Sequence, residues 1–275
     1  MATGSVTTMT AIKETDKFKR QNVKKQFDQQ ADLYGSSKAH SKGDSLRIMT
    51  QLASERDYTL SLDIGTGPGF TAFAMAPLSQ LVIATDIAPN MLTVASSLMA
   101  KRDITNVDLC LAAAEALPFQ NNMFDLVTCR TAMHHFTDVH RALTEAGRVL
   151  KPGSFLLIAD TSTPNDPDVR AWHQEVEIRR DPSHIKNLSV PEWTQHLTEA
   201  GFTPDYTELT RVQLDVNSWT TTSGTDPDES HRLLQTWASA PDDVVDAFSI
   251  VPKHDGNFAF SWPCLVVRAI SSHQL

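Results

Sequence analysis

The sequence predicts an α/β fold: a seven-stranded, mostly parallel sheet with one late antiparallel strand and helices on both faces. Three observations carry that reading. Short apolar runs of strand character alternate with helical runs at spacings of roughly 20 to 30 residues, the rhythm of a parallel sheet. The first such run, 59–63, ends in Asp63 and then breaks into glycines at every second position, Gly65, Gly67 and Gly69, and a helical stretch follows. Two last strand runs, 206–216 and 258–270, bring the count to seven.

At 275 residues, 41% hydrophobic and 21% charged, the chain suits one large domain over 13–275 with a well-buried core. The net charge of −9 argues against nucleic acid or an anionic membrane as partner and leaves a small molecule. Cys110, Cys129 and Cys264 lie in apolar runs without paired or metal-type spacing, as expected of buried free thiols in a reducing, cytoplasmic setting. No apolar run reaches the ~18 residues that would span a bilayer. Residues 1–12 are threonine-rich, without a basic start or an apolar core, and are expected to be a disordered tail rather than a secretion signal.

Taken in order, 13–33 reads as a helix with a solvated lysine face, ending near Tyr34 and Gly35, and 44–52 as a second helix with Asp44 as its N-cap. Together 13–55 forms a helical lid, on which Phe27, Tyr34 and His40 either pack the helices together or touch ligand. Strand 59–63, the glycine loop and helix 71–76 then make a nucleotide-cofactor cradle, because glycine removes the Cβ from a turn that a ligand must approach. A dinucleotide loop, G-x-G-x-x-G, would need its third glycine at Phe70; here Gly69 comes one residue early. Strand 81–86 ends in Asp86, 21 residues after Gly65, where a carboxylate accepts from a ribose diol or caps helix 89–99. Strands 106–113, 123–130 and 155–160 follow, with helix 137–150 between the last two. Beyond 163 the alternation loosens into helices 166–180 and 191–200, so 163–201 is an insertion expected to cover the substrate, with Arg180, Asp181 and His184 as contact candidates. Helices 229–237 and 242–248 separate the final strands.

Asp63-Ile-Gly-Thr-Gly-Pro-Gly69, Asp86-Ile-Ala-Pro-Asn-Met91, Ala114-Glu-Ala-Leu-Pro-Phe119, Phe124-Asp125, Arg130 to Phe136 and Arg148-Val-Leu-Lys-Pro-Gly153 occur in order at regular spacing. This series resembles the motifs of class I S-adenosylmethionine (SAM) methyltransferases, in particular the type 11, ubiquinone/menaquinone methyltransferase-like family. The resemblance implies a Rossmann-like fold and SAM as cofactor. Carried over, it implies that Gly65, Thr66 and Gly67 line the methionine part and that Asp86 binds the ribose. Ile87 and Met91 would flank the adenine, and Asp63, Glu115 and Arg130 complete the cofactor set. Many relatives place an Asp before Ala-Glu-x-Leu-Pro-Phe to accept from the adenine amino group; this chain has Ala113, so backbone groups at Ala113 and Ala114 would have to read that edge.

The chemistry implied is an in-line displacement at a sulfonium methyl, which needs an aligned nucleophile and a dry site. His134 and His135 leave the carboxyl end of the fourth strand, where open α/β sheets bind ligands, and are either a base with an untuned pKa near ~6.5 or a packing pair. Tyr34 and His184 are the further base candidates. Asp160, ending the fifth strand, either holds a substrate polar group or stabilises its loop. No acidic cluster suits Mg²⁺, and no His/Cys set has metal spacing, so no metal site is expected. Two alternatives remain open: a SAM-binding protein of this fold repurposed for another reaction, and an NAD(P)-dependent oxidoreductase.

Overall fold

The computed structural model describes residues 4–37 and 41–272, with side chains from residue 18 onward. The long helix α1 (Gly4–Ser36) is followed by α2 (Asp44–Ala53), β1 (Tyr58–Ile64), α3 (Phe70–Met75), β2 (Ser79–Asp86), α4 (Pro89–Lys101), β3 (Val107–Leu111) and β4 (Phe124–Arg130). Then come α5 (Val139–Val149), β5 (Leu150–Thr161), α6 (Pro167–Arg180), α7 (Val190–Glu199), β6 (Phe202–Asp215), α8 (Val216–Ser223), α9 (Pro227–Ala238), α10 (Asp242–Phe248), the two-residue β7 (Val251–Pro252) and β8 (Phe258–Ser271).

The strands lie in the order β3-β2-β1-β4-β5-β8-β6, with β7 pairing β8 outside this path. β1 to β5 are mutually parallel, and β8 runs antiparallel to both β5 and β6. The expected seven-stranded sheet with one reversed strand is therefore present, with β7 as a short addition.

Alternation along the strands fills two cores, because successive side chains point to opposite faces. In β4, Leu126 packs with Met49, Phe73 and Val82 under α2 and α3, whereas Val127 packs with Leu143, Trp193 and Leu197 under α5 and α7. Trp193 and Leu197 stand four residues apart on α7 and are both buried, so α7 belongs to the helical layer of the sheet. Of 163–201, the part that lies toward the carboxyl edge of β4 is α6 and the loop after it, where Ile185 N–H donates to His134 O at 2.9 Å.

Three features depart from expectation. α1 begins at Gly4 rather than at Lys13, since no proline or glycine between 5 and 34 interrupts it; residues 4–12 are helical rather than a tail. Gly43, not Asp44, is the N-cap of α2, and Asp44 sits in the first turn, where its charge favours the helix dipole. The helices between β6 and β8 are more than connections. With α6 they enclose a third core in which Val176, Trp219, Trp237, Phe248 and Trp262 are buried together. His40 lies outside the described residues. Cys129 and Cys264 are buried free thiols and Cys110 is half-buried. Among the described residues, no helix is long and apolar enough to cross a membrane.

Candidate active site

β1 carries the chain to the carboxyl edge of the sheet, and the glycine loop turns it back into α3. Gly65, Gly67 and Gly69 all take positive φ, at 64°, 52° and 93°. Their surroundings differ. A Cβ on Gly65 would stand 2.7 Å from Ala132 Cβ, and one on Gly69 would reach 2.4 Å from the Phe73 ring, whereas one on Gly67 would meet nothing within 4 Å. Gly67 thus faces open space, and its neighbours hold the turn. Thr66 N–H donates to Thr85 O at 2.8 Å and Gly69 N–H to Thr66 O at 2.9 Å.

Asp86 at the tip of β2 accepts from Gly67 N–H at 2.8 Å and from Ala88 N–H at 2.9 Å. One carboxylate therefore ties the loop to the start of α4. Burial pushes its pKa up to about 6, opposed by the backbone N–H groups of Ala88 and Gly67. Asp63 serves differently from the expectation. Its oxygens accept from Thr66 Oγ1 and Thr128 Oγ1, both at 2.6 Å, and it does not line the cleft. Burial pushes it up to about 6 as well, so it props the loop from beneath.

Around Gly67 lies a cleft of about 860 Å³, part of it open to solvent. Gly65, Thr66, Asp86, Ile87, Met91 and Ala114 line it. Glu115 also lines it, although its Oε1 is engaged by Thr137 N–H at 3.2 Å and Thr137 Oγ1 at 2.9 Å. Ala112 lines the cleft and Ala113 does not. Tyr34, Arg130, His135 and Phe136 line it too, with Phe27 between Tyr34 and His135: its ring meets His135 edge-on at 4.7 Å and Tyr34 at 5.5 Å. Arg130 Nε donates to Thr71 Oγ1 at 3.0 Å, and burial lowers its pKa against the pull of Asp63.

The three histidine candidates gather together but are not alike. His134 Nδ1 and Asp160 Oδ1 lie 2.5 Å apart, and Asp160 Oδ2 accepts from His134 N–H at 3.1 Å. Burial opposes a charged ring, yet the carboxylate wins and raises the pKa of His134, while that of Asp160 is lowered despite its own burial. The two form a buried ion pair behind the cleft wall, and Asp160 stabilises its turn rather than facing a ligand. His135 lines the cleft with Nδ1 at 3.2 Å from Ser183 O, a contact that needs a proton on Nδ1 and leaves the lone pair on Nε2. Burial and the neighbouring His134 cation push it down to about 4. The expectation of an untuned pair near neutrality is thus corrected: burial and Asp160 drive the two rings in opposite directions.

His184 is buried beside them, its ring 5.5 Å from that of His134, and burial lowers its pKa to about 3. Arg180 and Asp181 are likewise withdrawn from the cleft. Arg180 Nε donates to Trp219 O at 3.1 Å, and Asp181 Oδ1 accepts from Ser183 N–H at 2.8 Å. The phenol of Tyr34 is buried beside Arg180, and burial raises its pKa against the pull of that cation.

Arg20, Val23 and Thr131 also line the cleft and escaped the sequence reading. For α1 a signal existed, since Arg20, Val23, Phe27 and Tyr34 recur at helical spacing. For Thr131 none did. It is a β-branched residue at φ 54°, held by Thr131 N–H donating to Ala159 O at 2.7 Å, and such strain tends to gather at functional turns.

A glycine loop after β1, an acid at the tip of β2 and a reversed strand beside β5 define the class I methyltransferase architecture. The methyltransferase domain family matches residues 62–158. Over 245 residues the chain is 31% identical to the uncharacterized methyltransferase YcgJ of Bacillus subtilis, spanning 89% of this chain and 97% of that protein. The crystal structure of YcgJ superimposes with a TM-score of 0.79 over 84% of this chain and 99% of that one. The chain belongs to this methyltransferase family. A demethylmenaquinone methyltransferase of Corynebacterium urealyticum is 33% identical over 160 residues, 58% of this chain and 66% of that one. In fold alone, at 19% identity and a TM-score of 0.62 over 88% of this chain and 55% of the other, it is also similar to phosphoethanolamine N-methyltransferase 2 of Haemonchus contortus in complex with S-adenosyl-L-methionine.

Proposed function

We propose that the cleft binds SAM and that the chain catalyses transfer of its methyl group to a small-molecule acceptor. The observation that carries this reading is the junction of Asp86 and Gly67: a buried carboxylate at the strand tip, bonded to a glycine whose missing Cβ opens onto the cleft. Each Asp86 oxygen accepts one backbone hydrogen bond and has capacity for another, which suits a ribose diol. Gly65, Thr66 and Gly67 would line the methionine part, and Ile87 and Met91 the faces of the adenine. Backbone groups at Ala112 and Ala114 would meet the adenine edge in place of the side chain that Ala113 lacks. When bound, SAM supplies an electrophilic methyl group on a sulfonium.

The protein's own work is to orient the acceptor and exclude water. Tyr34, Phe27 and Phe136 give the cleft an aromatic wall, and α1 holds part of it in place. Asp28 Oδ1 accepts from Asn90 N–H at 3.0 Å on one side of the helix, and Gln26 Nε2 donates to Ser223 O at 2.7 Å on the other. His135 Nε2 is an acceptor of low basicity. It can orient an acceptor proton but is too weak to remove one from an ordinary alcohol, which favours a nucleophile already ionised or carrying a lone pair. His134 and Asp160 position that turn from behind.

Incubation with methyl-labelled SAM and a panel of phenols, quinols, thiols and amines tests the reading. Label should pass to at least one class and be lost with Asp86→Ala. SAM binding without transfer to any class would instead support a repurposed fold.

A further inference from the structure

Away from the cleft, two helices on one face of the sheet bring three metal-ligating side chains together. His140 stands in the first turn of α5, and His196 and Glu199 stand three residues apart on α7. One ligand atom from each lies within 4.8 Å of the other two. The i,i+3 spacing puts His196 and Glu199 on the same side of α7, and the packing of α5 beside α7 through Leu143 and Leu197 supplies His140 from the facing helix. Since the ligands come from helices separated by β5 and α6, no local spacing in the sequence marks the set.

Two details favour a ligand role over a chance surface cluster. His196 Nδ1 is shielded from solvent and makes no hydrogen bond, although a buried ring nitrogen ordinarily finds a partner. Glu199 Oε1 accepts from Gln195 Nε2 at 2.8 Å, an interaction that holds the carboxylate in orientation as outer partners of metal ligands do. Two imidazoles and one carboxylate form a nitrogen-rich set that suits Zn²⁺, whereas Ca²⁺ and Mg²⁺ require more oxygen ligands.

We propose that His140, His196 and Glu199 form a zinc site that ties α5 to α7, with a fourth position open to solvent. His140 and Glu199 are exposed, so their side chains can draw in by the roughly 1 Å or less needed to bring all three ligand atoms within bonds of about 2.0–2.2 Å to one shared ion. The site does not depend on what the cleft binds.

The test is titration of Zn²⁺ into the metal-free full-length chain and its His140→Ala, His196→Ala and Glu199→Gln variants, with thermal melts of each. One Zn²⁺ should bind per chain with micromolar affinity or better, and each substitution should weaken it at least ~10-fold. Saturating Zn²⁺ should raise the Tm of the parent by about 3 °C or more and that of each variant distinctly less. His140 is exposed, so His140→Ala tests the site even if the half-buried His196 proves necessary for folding. Absence of binding, or binding undiminished in His140→Ala and Glu199→Gln, would overturn the proposal.

Discussion

His134 and Asp160 form a buried ion pair, Nδ1 to Oδ1 at 2.5 Å, at the turn that presents His135 to the cleft. The pair makes stability depend on pH with a definite sign. The pKa of His134 is raised in the fold above the ~6.5 of an unfolded chain, so its contribution is complete below about 6.5 and is lost as pH rises through the folded value. That of Asp160 is lowered below 3.8, so its share is present above that value and is lost as pH falls through the lower one. Denaturant unfolding of the parent and His134→Gln should show a gap of roughly 3 kcal/mol at pH 5 to 6, the scale for breaking a buried pair. The gap should narrow toward pH 9. A gap independent of pH would mean that His134 is neutral throughout.

The glycine loop separates positions that keep the fold from a position that admits a ligand. Gly67→Ala pays only the cost of a left-handed residue, about 1–2 kcal/mol, because no neighbour stands within 4 Å of the new Cβ. Gly69→Ala adds a clash with Phe73 and should lower Tm distinctly further. SAM affinity should fall in Gly67→Ala even in the folded protein. Equal melting temperatures with unchanged affinity would remove Gly67 from the binding surface.

Much of this was legible in the sequence, and the limits have physical causes. Strand and helix order followed from periodicity and the glycine loop from φ requirements, which are local properties. Asp63 looked like Asp86, a carboxylate at a strand end. What separates them is which partners the tertiary fold brings near, Thr128 for one and Gly67 for the other. The histidine pair was found, but its tuning was not, because Asp160 stands on the next strand and burial is invisible in a string of residues. The third core was missed because Trp172, Trp219, Trp237 and Trp262 are scattered across elements with no shared period.

His135 should leave little trace in a pH–rate profile near neutrality. With its pKa down to about 4, the ring is already neutral from pH 6 to 8, so kcat should not rise across that interval through this group. His135→Asn should lower kcat by about tenfold or less while SAM affinity stays within error, as befits a residue that orients the acceptor. A rise with a midpoint near 6.5 that disappears in His135→Asn would show an ordinary general base instead.

Isothermal titration of the full-length chain with SAM, S-adenosylhomocysteine and NADH bears most directly on the cleft. SAM and S-adenosylhomocysteine should each bind once per chain and NADH not at all. Asp86→Ala should weaken SAM by roughly 1.5–3 kcal/mol, the range for hydrogen bonds to a charged group. Binding of NADH in place of SAM, or SAM affinity untouched by Asp86→Ala, would contradict the assignment of this cleft as a SAM site.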